Sequence, residues 1–134
     1  MSKHTERVME LRNKEGVLCN CAETIMMTYA EELGLKEEMA KNLATNFGGG
    51  MKCGKTCGAI TSSLMVLGAM GVNDPVVTGG FVRAIRDNHD GLTDCSELLK
   101  RNVEMGGQKK PHCDKMIVEA IELMDNTIAA QQKN

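Results

Sequence analysis

Fourteen residues, Phe47 to Ile60 (FGGGMKCGKTCGAI), constrain this chain more than any other stretch, because they place five glycines and two cysteines together. Consecutive glycines can take positive φ and let another backbone or a ligand come close. Cys57 and the Ala59-Ile60 pair then begin a periodic apolar run that reads as a helix. A glycine turn feeding a helix start offers unpaired N–H groups and the positive end of a helix dipole. Lys52 and Lys55 add charge beside Cys53 and Cys57, a setting that favours thiolate over thiol. Gly48, Gly49, Gly50 and Gly58 are therefore the positions expected to lie against a bound group.

The rest of the chain reads as helix after helix, with no sustained period-two alternation and hence no strand. Residues about 3 to 14 carry Val8 and Leu11 on a mostly charged segment, expected to be the least firmly held. Asn20 caps a second helix, with Glu23 in the capping-box position. A third, roughly Lys36 to Asn46, sets Met39, Leu43 and Phe47 on one stripe and runs into the glycine turn. The fourth, from near Thr56 to Gly71, is almost uncharged all round, as a central buried helix is. Asp74-Pro75 starts a fifth, Asp94 with Glu97 caps a sixth, and Pro111 opens the last. The expectation is an all-α, single-domain bundle of six to seven short helices over residues 1–134, ending in a polar tail from about 130.

The cysteines show one regularity along the chain. Cys21, Cys57, Cys95 and Cys113 each fall in the expected first turn of a different helix, on that helix's apolar stripe. Four inward-facing thiols at four positive helix ends would jointly stabilise an anionic centre: thiolates, a bound metal ion or an iron–sulfur cluster. Cys19 and Cys53 lie two and four residues from Cys21 and Cys57, which extends the candidate ligand set to all six cysteines. Neither pair is Cys-x-x-Cys, so thioredoxin-type exchange has no direct support. Of the histidines, only His112 stands beside one of these thiols. Gly49 to Thr56 formally spells a phosphate-loop string, but helix rather than strand precedes it.

Composition narrows the classes further. Only 2% of the residues are aromatic, so the core must be built from aliphatic side chains and eleven methionines. A net charge of −2 without a basic block argues against nucleic acid, and the charged start and lack of a long apolar run argue against membrane insertion. The protein is expected to be soluble and cytoplasmic, where six cysteines indicate metal or redox chemistry more than a disulfide scaffold.

Asn20-Cys21-Ala22-Glu23, Phe47 to Met51, Cys57-Gly58-Ala59, Cys95 with Leu98-Leu99, and then Cys113 together resemble the putative redox-active protein family. The likeness runs from about Gly16 to Val118 and rests on one cysteine, a Cys-Gly-Ala-x-x-Gly motif and two further cysteines. Here the closing glycine is replaced by Ser62. The resemblance implies an all-α fold and a redox role for Cys21, Cys57, Cys95 and Cys113.

Three functions fit these residues. One is a thiol redox protein in which Cys57 attacks and pairs with another cysteine, using an unidentified redox partner. Another is a metal or iron–sulfur protein using the same thiols as ligands. The third is a helical interaction module with structural cysteines, a candidate homodimer through its methionine-rich faces.

Overall fold

The computed structural model of the protein describes residues 2–14 and 19–132. Seven α-helices follow in order: α1 (Lys3–Arg12), α2 (Cys21–Thr28), α3 (Glu37–Ala44), α4 (Gly58–Ala69), α5 (Pro75–Asn88), α6 (Cys95–Glu104) and α7 (Lys109–Gln132). Among the described residues there is no strand, only an isolated antiparallel bridge between Thr56 and Asp94. The fold is the expected all-α bundle, although α7, at 24 residues, is long rather than short. No helix among these is long and apolar enough to cross a membrane.

The centre is α4, as its uncharged sequence requires. Ala59, Ile60, Val66 and Leu67 are buried, and the helix packs against α2, α5 and α7. Its two buried serines keep their hydroxyls satisfied: Ser63 donates to the Ala59 carbonyl at 2.6 Å and Ser62 to the Ala22 carbonyl on α2 at 3.2 Å. Ile25 and Tyr29 from the α2 region, Phe81 and Ile85 from α5, and Met116, Ile117, Ile121 and Met124 from α7 complete the core. The charged helix α1 puts Val8 and Leu11 into that core.

Local chemistry sets the boundaries. Asn20 forms the expected capping box: its side chain accepts from the Glu23 N–H, and Glu23 returns a bond to the Asn20 N–H, both at 2.8 Å. Asp74 accepts from Val76 N–H ahead of Pro75. At α6 the expected box does not form, since the Asp94 side chain makes no cap bond and the strand-like bridge to Thr56 holds the backbone there. The last helix starts two residues before Pro111, whose missing N–H falls in a first turn that has no intrahelical acceptor for it.

Helix α3 departs most from its sequence pattern. Its buried residues are Ala40 and Ala44, whereas Met39 and Leu43 are 51% and 48% exposed. Packing against α2 takes the face of small residues, which lets the two helix backbones approach closely and turns the bulkier stripe outward. Residues Thr45–Phe47 then tighten into a 3-10 turn.

Candidate functional site

The glycine stretch makes an unusual local structure. Gly49, Gly50, Met51 and Lys52 all take positive φ, between 59° and 65°, so the chain makes a short left-handed turn. For Met51 and Lys52 this costs about 1–2 kcal/mol each. The wide turn Gly50–Gly54 is closed by the Lys55 N–H donating to the Gly50 carbonyl at 3.0 Å. Gly50 could not carry a side chain, because a Cβ there would lie 2.3 Å from the Lys55 carbonyl oxygen and 2.9 Å from Cys95 Cβ. At Gly48 a Cβ would meet the Asn20 side chain, and at Gly58 the Phe47 carbonyl and Ala22. At three of the four expected glycines, then, the close neighbour is the chain itself; Gly49 faces open space.

These contacts fix the thiols. The capping box holds Cys21 at the first position of α2, and Asn20 Nδ2 donates to the Thr45 carbonyl, tying α2 to the end of α3. Cys57 is not in the first turn of α4 but caps it, its own N–H donating to the Thr93 carbonyl at 2.9 Å. The Cys95 N–H donates to the Lys55 carbonyl at 2.6 Å, so the bridge between the turn and α6 sets Cys57 and Cys95 side by side. Cys113 sits in the second turn of α7, not the first, because that helix begins at Lys109.

Cys21, Cys57, Cys95 and Cys113 line one cavity of about 510 Å3, together with Cys19. The four cysteines thus share one cavity wall. Cys53 does not join them: it is exposed, with its thiol 3.5 Å from the Gly50 carbonyl. Cys19, although buried at the edge of the cavity, turns its thiol toward the Met27 sulfur at 3.8 Å. His112 also lines the cavity, and burial lowers its pKa.

The thiols are not equivalent. The neighbouring Cys113 thiol raises Cys21 far above an ordinary thiol, with burial adding to the effect. The Cys21 thiol beside it lowers Cys113, against burial, and the Arg12 and Lys109 charges help bring it to about 7. At Cys57 burial opposes the thiolate that the lysines and the helix start were expected to favour. Burial pushes it up to about 11, although the Ala59 and Ile60 N–H groups at the helix start pull the other way. Cys95 is raised by burial, with Lys109 opposing. Helix ends do act on the site, but at Cys57 desolvation outweighs them.

Sequence reasoning missed Arg12. It is 5% exposed, donates from Nε to Asp114 Oδ1 at 2.6 Å and from a terminal nitrogen to the Cys19 carbonyl at 2.5 Å, and lines the cavity. Its position in the last turn of a charged helix gave no sign of burial; only α1 docking beside α7 brings it to the thiols. Lys109 was missed as well, since it precedes the proline that marked the expected helix start.

A metal or cluster site is the other reading of these thiols. Among the described residues, no three Cys, His, Asp or Glu side chains are disposed to hold one metal ion. The phosphate-loop string also lacks its context, because the 3-10 turn Thr45–Phe47 precedes it instead of a strand.

The family model described as "Putative redox-active protein (C_GCAxxG_C_C)" matches residues 19–127 of the 134, and the chain belongs to that family. The described pattern puts glycine before the cysteine, whereas this chain reads Thr56-Cys57-Gly58-Ala59; the expected Cys-Gly-Ala order is thus the chain's own and not that of the description. No curated protein and no solved structure matches the chain.

Proposed function

We propose that this member of the putative redox-active family is a dithiol–disulfide redox protein whose working pair is Cys113 and Cys21. One observation carries the reading: Cys21 and Cys113 line one cavity with Arg12 and Lys109, whose charges favour the Cys113 thiolate, while the neighbouring thiol and burial keep Cys21 protonated. A thiol with its pKa near ambient pH combines thiolate fraction with nucleophilicity, which favours exchange. The expected nucleophile, Cys57, has the less favourable setting and is better placed as a supporting thiol beside Cys95.

The Cys113 thiolate attacks one sulfur of a substrate disulfide; that S–S bond breaks and the far sulfur leaves as a thiolate, which takes the proton from Cys21. Cys21 then attacks the Cys113 sulfur of the mixed disulfide and expels the second substrate thiolate, which is protonated by water. Two electrons pass from the protein dithiol to the substrate, leaving a Cys21–Cys113 disulfide and two substrate thiols. A dithiol reductant reverses the cycle. A cytoplasmic location would supply one.

The test is the pH dependence of alkylation. Under limiting iodoacetamide, Cys113 should be labelled first among the six cysteines, with its rate rising through about pH 7. Labelling led by Cys57, or a Cys113 rate that rises only near pH 9, would contradict the reading.

A further inference from the structure

The cavity around the thiols is lined by three cations, Arg12, Lys109 and Lys110, and by no aspartate or glutamate among the described residues. In a protein of net charge −2 this is a concentration of one sign. One carboxylate stands behind the wall: Asp114 pairs with Arg12 at 2.6 Å and with Lys110 at 3.0 Å, offsetting one of those two cations. Lys109 has no ion-pair partner among the described residues, and its charge reaches both Cys95 and Cys113. Asp94 and Glu97, at the start of α6, lie outside the lining. Apart from these cations and the thiols, much of the wall is apolar, with Leu98, Leu99 and Met116 among it. An apolar enclosure with low-dielectric walls and charge of one sign concentrates oppositely charged solutes. Its volume, about 510 Å3, suits a small molecule rather than a folded partner.

We infer that the disulfide exchanged at this site is that of a small anionic thiol, one whose carboxylates meet Lys109 and the Arg12 side of the cavity while its sulfur reaches Cys113. The inference rests on the Cys113–Cys21 reading and adds the substrate class. The reaction is the exchange given above, with the carboxylates unchanged throughout.

Three small disulfides separate the two claims: dianionic 3,3′-dithiodipropionate, neutral bis(2-hydroxyethyl) disulfide and dicationic cystamine. Each is mixed with the fully reduced protein at low ionic strength, and formation of the Cys21–Cys113 bond is followed by acid quench and mass spectrometry. The dianion should react faster than the dication by on the order of tenfold. That ratio should shrink in high salt and in Lys109→Gln, whose exposed side chain leaves the fold intact. Oxidation of the pair by all three at similar rates, or fastest by cystamine, overturns the substrate class while leaving the pair in place. Failure of all three, the neutral compound included, to form the Cys21–Cys113 bond overturns the pair and the substrate class together.

Discussion

Arg12 Nε donates to Asp114 Oδ1 at 2.6 Å, and this bond ties the first helix to the residue that follows Cys113. It couples a docking contact to the chemistry. The guanidinium also lowers both Cys113 and Cys21, so the N-terminal helix forms part of the thiol site.

Replacing Arg12 by Ala should therefore act twice. It leaves the Cys19 carbonyl without its donor and Asp114 with Lys110 alone, a loss of about 2–3 kcal/mol. It should also move the pH midpoint of Cys113 alkylation upward. Arg12→Lys, which keeps a charge without the planar fork, should restore the midpoint better than the stability. Urea unfolding and the alkylation profile read the two effects separately. An unmoved midpoint in Arg12→Ala would remove Arg12 from the site's electrostatics.

Ser62 is fully buried, and its hydroxyl bond to the Ala22 carbonyl joins α4 to α2. Ser62→Ala should cost about 1 kcal/mol for the lost bond, and Ser62→Gly somewhat more, because glycine also weakens the helix. Denaturant midpoints measure both.

Gly58→Ala places a methyl 2.9 Å from the Phe47 carbonyl oxygen and 3.2 Å from Ala22 Cβ. Something must shift, and the shift falls between the segments that carry Cys21 and Cys57. The substitution should destabilise by about 1–3 kcal/mol. Gly50→Ala meets backbone atoms at still shorter range and adds the strain of positive φ, so its effect should be larger. Comparing the two melting temperatures with wild type tests that order.

A pH dependence should appear at the opposite end of α1. His4 Nδ1 lies 2.9 Å from Asp125 Oδ2 and Nε2 2.6 Å from Glu32 Oε1, with the ring 4.2 Å from that of buried Tyr29. Burial alone would lower His4, but the two carboxylates outweigh it and raise its pKa above 6.5; Lys3, also paired with Glu32, opposes only from an exposed position. The stability contributed by protonated His4 is therefore fully present below about pH 6.5 and is lost as pH rises through the higher folded value. His4→Gln should flatten the fall in melting temperature over that interval, whereas an unchanged profile would place its source elsewhere.

The fold was legible where one local rule decided it. Asn20 and Glu23 spelled their capping box, Asp74-Pro75 its helix start, and α4 its burial, because each depends on residues within a few positions. The face of α3 was not legible: Met39 and Leu43 are the better apolar stripe, and only the closeness allowed by Ala40 and Ala44 reverses it. The four cysteines that share the cavity were picked out by their common place near helix starts. Their ranking was not, since the lysines beside Cys57 suggested activation while the burial that opposes it depends on the whole fold. Arg12 acts on Cys113 from 101 positions away in the chain, a proximity that no local pattern encodes.

The most direct test is to map the disulfide. Protein reduced and freed of small thiols, then treated with one equivalent of a small neutral disulfide, should lose two titratable thiols of six. Proteolysis and mass spectrometry should then join the Cys21 and Cys113 peptides, and Cys113→Ser should abolish the bond without preventing folding. A bond between another pair, or six thiols that stay free while the added disulfide persists, would contradict the account.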